Sequence, residues 1–328
     1  MLFRSKLGFC AYHASIYAPE QARAAEAVRL MYAPRERCYL HPLGGCEANK
    51  RYLDYMRALV KAVPTEPEVF EYYNDCVLLR HMGMPLYPTI GKDVEVYMAE
   101  GMDGVMSLFF QDFSDWAYGI NTYTLGKALW RGKGEAGDAM EFCAAVYGPA
   151  APAMKVFFDR LFELTATSMA TCGYYDFVDL RFPPRDTWSA EHLALLAPLT
   201  TPTKLGEMDA LLEEAERLTE KGCWAQNVAD QALLWQFTRH EVLTIQQELE
   251  FDPLWAKVLD NSATPEEARK LADALDNNLR RLDIGTEILM SAPERLRSPA
   301  GRQASFGERD GFFQGHRRNV RDLARSQQ

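Results

Sequence analysis

From Lys6 to Asp112 the chain switches repeatedly between short stretches rich in β-branched and aromatic residues and longer ones whose apolar residues recur at helical spacing. "KLGFCAYHA" (Lys6–Ala14) reads as a strand, and "RCYLHPLGG" as a short extended piece closed by a Pro/Gly turn. "EANKRYLDYMRALVKAV" sets Leu53, Met56, Leu59, Val60 and Val63 on one helical face. "EVFEYYND" (Glu68–Asp75) reads as the next strand, "KDVEVYMAEGMDG" as a helix ending at a glycine, and "VMSLFFQD" as a further strand. Parallel strands need a crossover, and a helix is the usual one, so this order predicts parallel βα units and an α/β fold.

From about Asp115 the pattern turns almost wholly helical. "DWAYGINTYTLGKALW", "GDAMEFCAAVYG" and "APAMKVFFDRLFELTATSMATC" are helical segments, with a Pro- and aromatic-rich crossing loop over residues 173–202. "TKLGEMDALLEEAERLTEKG" carries Met208, Leu211, Leu212, Ala215 and Leu218 on one stripe, ending at Gly222. Thr264, Pro265 and Glu267 spell a capping box with proline at the first helical position. Trp130 and Trp235 fall on apolar helical faces and read as core. The expected organisation is an α/β part over 1–131, an α-helical domain over 132–293, and a flexible Arg-rich tail over 294–328.

Composition excludes some classes. A hydrophobic content of 48% over 328 residues marks a globular chain, and a net charge of -10 argues against nucleic acid, whose phosphates need a basic face. No apolar run approaches the roughly 20 residues that span a bilayer. "MLFRSKLGFCAYH" has too short an apolar core for a signal peptide, interrupted by Arg4 and Lys6, so the chain as given reads as cytoplasmic. Seven cysteines are scattered with no CxxC pair. Cys38 and Cys46 bracket His41 without a second histidine at ligand spacing, so reduced, buried thiols are expected, and no metal. Phosphate loops, nucleophile elbows and HExxH patterns are absent from the sequence, and no cofactor is implied.

In a βα barrel the active site forms at the carboxyl ends of the strands. There the first strand offers Tyr12 and His13, and the second Glu71, Tyr72, Tyr73, Asn74 and Asp75. The third runs into "FFQDFSDWAYGIN", with Gln111, Asp112, Asp115, Trp116, Tyr118 and Asn121. Carboxylates among aromatics suit glycoside chemistry, in which one acid protonates the leaving oxygen and another activates water or attacks. Each residue also has a plainer reading. Glu71 pairs with an Arg or Lys inside the barrel, Asp75 caps a turn, and at least one of Asp112 and Asp115 caps a helix, with Asp115 the preferred cap. His41 is either a ligand-contacting loop residue or a hydrogen-bonded turn residue. Trp116 and Tyr118 are either a sugar platform or core.

"YAPRERCYLHPLGGCEANKRYLDYMRAL", "EVFEYYND", "GMDGVMSLFFQDFSDWAYGINTYTLGKALW" and "FCAAVYGPAAPAMKVFF" resemble the domain of unknown function 4838 family over about residues 5–165. Its members are similar to glycoside hydrolases, distantly to α-glucuronidases and β-hexosaminidases. The resemblance implies a TIM-type (β/α) barrel followed by a helical region. A complete barrel takes about 250 residues and about 130 here read as α/β, so a partial barrel of the later strands is expected. Its open sheet edge would be covered by the helical region, another chain or self-association. The implied reaction is hydrolysis of a glycosidic bond in a carbohydrate, from a parent whose sugar chemistry suits an exported enzyme. Catalysis would fall to Glu71, Asp75 and Asp112, and sugar contacts to Tyr12, His13, His41, Tyr72, Tyr73, Trp116, Tyr118 and Asn121. A carbohydrate-binding protein without chemistry is the alternative, and an interaction fragment a third.

Overall fold

The computed structural model describes residues 7–12, 15–35, 37–39, 41–63, 65–75, 82–109, 119–171, 201–293, 296 and 314–328. Four parallel strands form one sheet in the order β1 (Leu7–Ala11), β2 (Val28–Tyr32), β3 (Glu68–Asn74), β4 (Gly104–Phe109). The crossovers from β2 to β3 and from β3 to β4 are helices α1 (Glu47–Ala62) and α2 (Tyr87–Ala99). Strand β2 is an addition to the expected set, whereas "RCYLHPLGG" lies in the loop between β2 and α1 rather than in a strand.

Alternation along the strands sorts them into two faces. Ala11, Leu30, Tyr32 and Val69 pack against Met56 and Leu59 of α1 and Tyr97 of α2. Met56, Leu59 and Val63 are buried on the stripe expected of them. On the other face Cys10 is exposed, Met31 and Phe70 are half-buried, and Met106 is 41% exposed. Helix α2 opens with Pro88 in its first turn and ends at Gly101, whose φ of 76° lies in the left-handed region where glycine carries no Cβ penalty. A register irregularity between Glu71 and Asn74 marks the end of β3.

The helical part comprises α3 (Gly119–Arg131), α4 (Asp138–Tyr147), α5 (Ala151–Thr171), α6 (Pro202–Leu218), α7 (Cys223–Leu259) and α8 (Pro265–Met290). One apolar cluster runs from Tyr72 and Tyr73 through Ile90 and Phe157 to Met208, Leu212 and Trp235, so the βα units and helices share a core. Thr264 and Glu267 form the expected capping box at the start of α8. Trp235 is 2% exposed, as core requires, but Trp130 is 90% exposed. Its position near the carboxyl end of α3 lies past the stripe of Ile120, Thr124, Leu125 and Ala128 that buries.

The tail expected to be flexible ends in a helix, α9 (His316–Ser326). Val320 and Ala324 insert among Phe251, Trp255, Leu271 and Leu275 of α7 and α8. Arg317, buried, pairs with Glu248 at 2.6 Å and donates to Asn278 at 2.8 Å. Arg317, Arg321 and Arg325, among the arginines that suggested a solvated tail, thus bind acidic residues of α7 and α8 instead. No helix among the described residues is long and apolar enough to cross a membrane.

Candidate functional site

The β2–α1 loop passes over the carboxyl ends of the strands and brings two arginines to them. Arg37 lies between sheet and helices and is 1% exposed. Its Nε donates to Glu71 Oε1 at 3.0 Å and its NH2 group to Asp93 Oδ2 on α2. Tyr97 donates to the same Glu71 oxygen, and Tyr73 donates to Asp93 Oδ2 at 2.8 Å. Asp93 Oδ1 accepts the backbone N–H of Leu43 at 2.7 Å, anchoring the loop. Arg37 also stacks over Tyr39, 4.6 Å from the ring centroid.

Two carboxylates thus share one guanidinium. Burial pushes both Glu71 and Asp93 up from the ordinary carboxylate range, and Arg37 only partly offsets it. For Glu71 the charge of Asp93 adds to the upward shift. Burial likewise raises Tyr73 and Tyr97, so these phenols keep their protons and act as donors. Glu71 was expected to point into a barrel interior. It faces the helix layer instead, on the same side of β3 as Val69, and is fully buried.

A second cluster lies where β1, β2 and β3 end. Arg35 Nε donates to Asp75 Oδ2 at 2.6 Å, and the Arg35 guanidinium sits 5.6 Å from the Tyr72 ring centroid. Tyr12 stacks beside Tyr72 with centroids 6.1 Å apart and planes 19° apart, and Phe70 meets Tyr72 edge-on at 5.3 Å. Asp75 is fully buried and Tyr12 half-buried. Proximity to Asp75 raises the Arg35 pKa although burial opposes it, so Arg35 is a fixed positive charge.

Further along the same loop, His41 is exposed, and its Nδ1 lies 3.4 Å from Cys38 Sγ. Asn49 on α1 holds this turn: its Oδ1 accepts from Cys38 N at 2.8 Å, and its Nδ2 donates to the carbonyls of Cys38, His41 and Pro42 at 2.7 to 2.9 Å. Gly44, with φ of 82°, and Gly45 turn the chain into α1.

The structure therefore brings Tyr12, Tyr72 and Asp75 together and sets Glu71 and Tyr73 apart, beneath the helices. Asn121 is fully buried and bridges backbone: Oδ1 accepts from Leu86 N at 2.6 Å, and Nδ2 donates to Tyr73 O and Met84 O at 3.0 and 2.9 Å. His13, Asp112, Trp116 and Tyr118 lie outside the described residues. Sequence reasoning missed Arg35, Arg37, Asp93, Tyr97 and Asn49. One signal was present, since Asp93 stands three residues after Ile90 and one before Val94, on the apolar stripe of α2.

No curated protein and no solved structure matches the chain. The model of a family described as a domain of unknown function, DUF4838, matches residues 5–159, which hold the whole sheet, both arginine–carboxylate clusters and the Asn49-braced loop.

Proposed function

We propose that this chain carries β/α units of a glycoside-hydrolase-like barrel that bind a carbohydrate at the carboxyl ends of the strands, and that the reaction is hydrolysis of a glycosidic bond. The observation that carries the reading is the cluster of Tyr12, Tyr72, Arg35 and Asp75 at those ends. Aromatic rings offer flat apolar faces to a pyranose, and a charged pair beside them offers donors and acceptors to hydroxyls. Ligands of parallel α/β sheets bind at this end of the strands. The half-covered face bearing Met31, Phe70 and Met106 fits a sheet whose inner side meets further strands, in the same molecule or in a second copy paired at the outer edges of β1 and β4.

Within this reading Glu71 is a positioning residue held by Arg37 rather than the acid, because its carboxylate is bonded on the helix side of the sheet, apart from Tyr12 and Tyr72. The acid and base roles pass to Asp75 and to Asp112, which follows β4 in sequence. A second reading, sugar binding without chemistry, is favoured by the ion pairing of both described candidates, Glu71 and Asp75, with arginines.

A panel of aryl glycosides, including uronides, assayed beside calorimetric binding of oligosaccharides separates the two. Turnover that falls by about 100-fold or more in Asp112→Asn or Asp75→Asn supports hydrolysis, since a positioned acid or base contributes that much. Binding that Tyr12→Ala weakens, with no turnover, supports the second reading. Neither binding nor turnover across the panel overturns both.

A further inference from the structure

We propose that Cys38, His41 and Cys46 form a zinc site, in which two thiolates and one imidazole nitrogen hold Zn2+ and a fourth position stays open to water or an incoming ligand. The two sulfurs and a ring nitrogen of His41 all lie within 4.8 Å of one another. A tetrahedral zinc with Zn–S of about 2.3 Å and Zn–N of about 2.0–2.1 Å has an S–N edge of about 3.6 Å and an S–S edge of about 3.8 Å. The Cys38 Sγ to His41 Nδ1 separation, 3.4 Å, is close to the first of these.

The sequence spacing, two residues from Cys38 to His41 and four from His41 to Cys46, falls in the short intervals that metal loops use. The second histidine expected of such a loop is not needed when three protein ligands leave one position open, as catalytic zinc sites do.

The turn is also held in advance. Asn49 fixes the backbones of Cys38 and His41 from one side chain, and Arg37 NH1 donates to the Cys38 carbonyl at 3.1 Å. Cys46 stands at the N-cap of α1, where the helix dipole favours an anionic ligand set. Burial decreases from Cys38 through Cys46 to the exposed His41, leaving a path for the ion from solvent. Mixed sulfur and nitrogen donors select zinc over calcium and magnesium, which take oxygen.

The test uses the full chain under a phosphine reductant, with all seven thiols shown to titrate. Co2+ serves as a spectroscopic probe. One equivalent should bring up the intense visible bands of tetrahedral cobalt and a thiolate-to-metal band in the near ultraviolet, and one equivalent of Zn2+ should erase both. Asn49→Ala should weaken Zn2+ binding about 10–100-fold, the usual loss when a ligand's support is removed. Cys46→Ser and His41→Ala should weaken it further, and Cys223→Ser, exposed on α7, should not change it. If Cys46→Ser loses its circular dichroism, His41→Ala carries the test, because the exposed His41 ring is not part of the core. Wild-type chain that develops no bands, or bands unchanged in His41→Ala, would overturn the proposal.

Discussion

Arg37 and Glu71, 34 residues apart in sequence, meet in an ion pair of 3.0 Å in which neither side chain is exposed to solvent. Such a pair contributes less by its attraction than by what its loss leaves behind. The desolvation cost of the charges offsets most of the Coulomb gain, and an uncompensated buried charge is strongly unfavourable.

Arg37→Met strands two carboxylates, so it should destabilise the chain by about 3–5 kcal/mol, whereas Glu71→Gln should cost only about 1–3 kcal/mol, because Asp93 still pairs with the arginine. Urea unfolding followed by circular dichroism reads both. Equal costs would mean that Asp93 and Glu71 do not share Arg37.

The same group sets a pH dependence. Glu71 and Asp93 titrate above their ordinary values of 4.5 and 3.8, burial being the larger cause in each. Between the unfolded and folded values the native chain binds more protons, so stability falls as pH rises. The contribution is complete below the unfolded values and is lost as the pH climbs through the raised ones. Unfolding midpoints measured from about pH 4 to about pH 8 should decline from these two groups, and Glu71→Gln should flatten that decline. A Glu71→Gln profile parallel to wild type would show that Glu71 does not titrate in this range.

Asn121 satisfies three buried backbone groups with one amide. Asn121→Leu fits the volume and satisfies none of them. At about 1–3 kcal/mol for a buried polar group left unmade, a loss of at least about 3 kcal/mol is expected. Thermal unfolding of the variant checks this, and a smaller loss would mean that the Leu86–Tyr73 region relaxes to find water.

The C-terminal helix should matter as much as any core element. Arg317→Met breaks the buried ion pair with Glu248, and a loss of about 3–5 kcal/mol is expected. Hydrogen exchange should show faster exchange in α8 and the end of α7. If only α9 itself exchanges faster, it is an accessory to the helical part rather than a member of its core.

What the sequence revealed follows from where its signals are local. The α1 stripe through Met56 and Leu59, the Thr264 capping box and the core position of Trp235 are set within a turn or two of helix, and each stands as read. β2 escaped because an arginine interrupts its short apolar run, "VRLMY", so no alternation announces it. The orientation of Glu71 escaped for a deeper reason. Alternation shows that Val69 and Glu71 share a face, but which face the helices cover is decided by α1 and α2. α9 was hidden by composition, since its inner face is built from Arg317, Val320 and Ala324 rather than from a leucine stripe.

The loop–strand–helix knot at Arg37 also bears on the order in which the molecule assembles. Its members come from the β2–α1 loop, from β3 and from α2, separated by 34 and 56 positions. With any one unit missing, at least one of the three charges would enter the interior without its counterpart. A half-built sheet is therefore penalised, and the units from β2 to α2 should gain their protection together, as one cooperative step instead of a succession of stable intermediates.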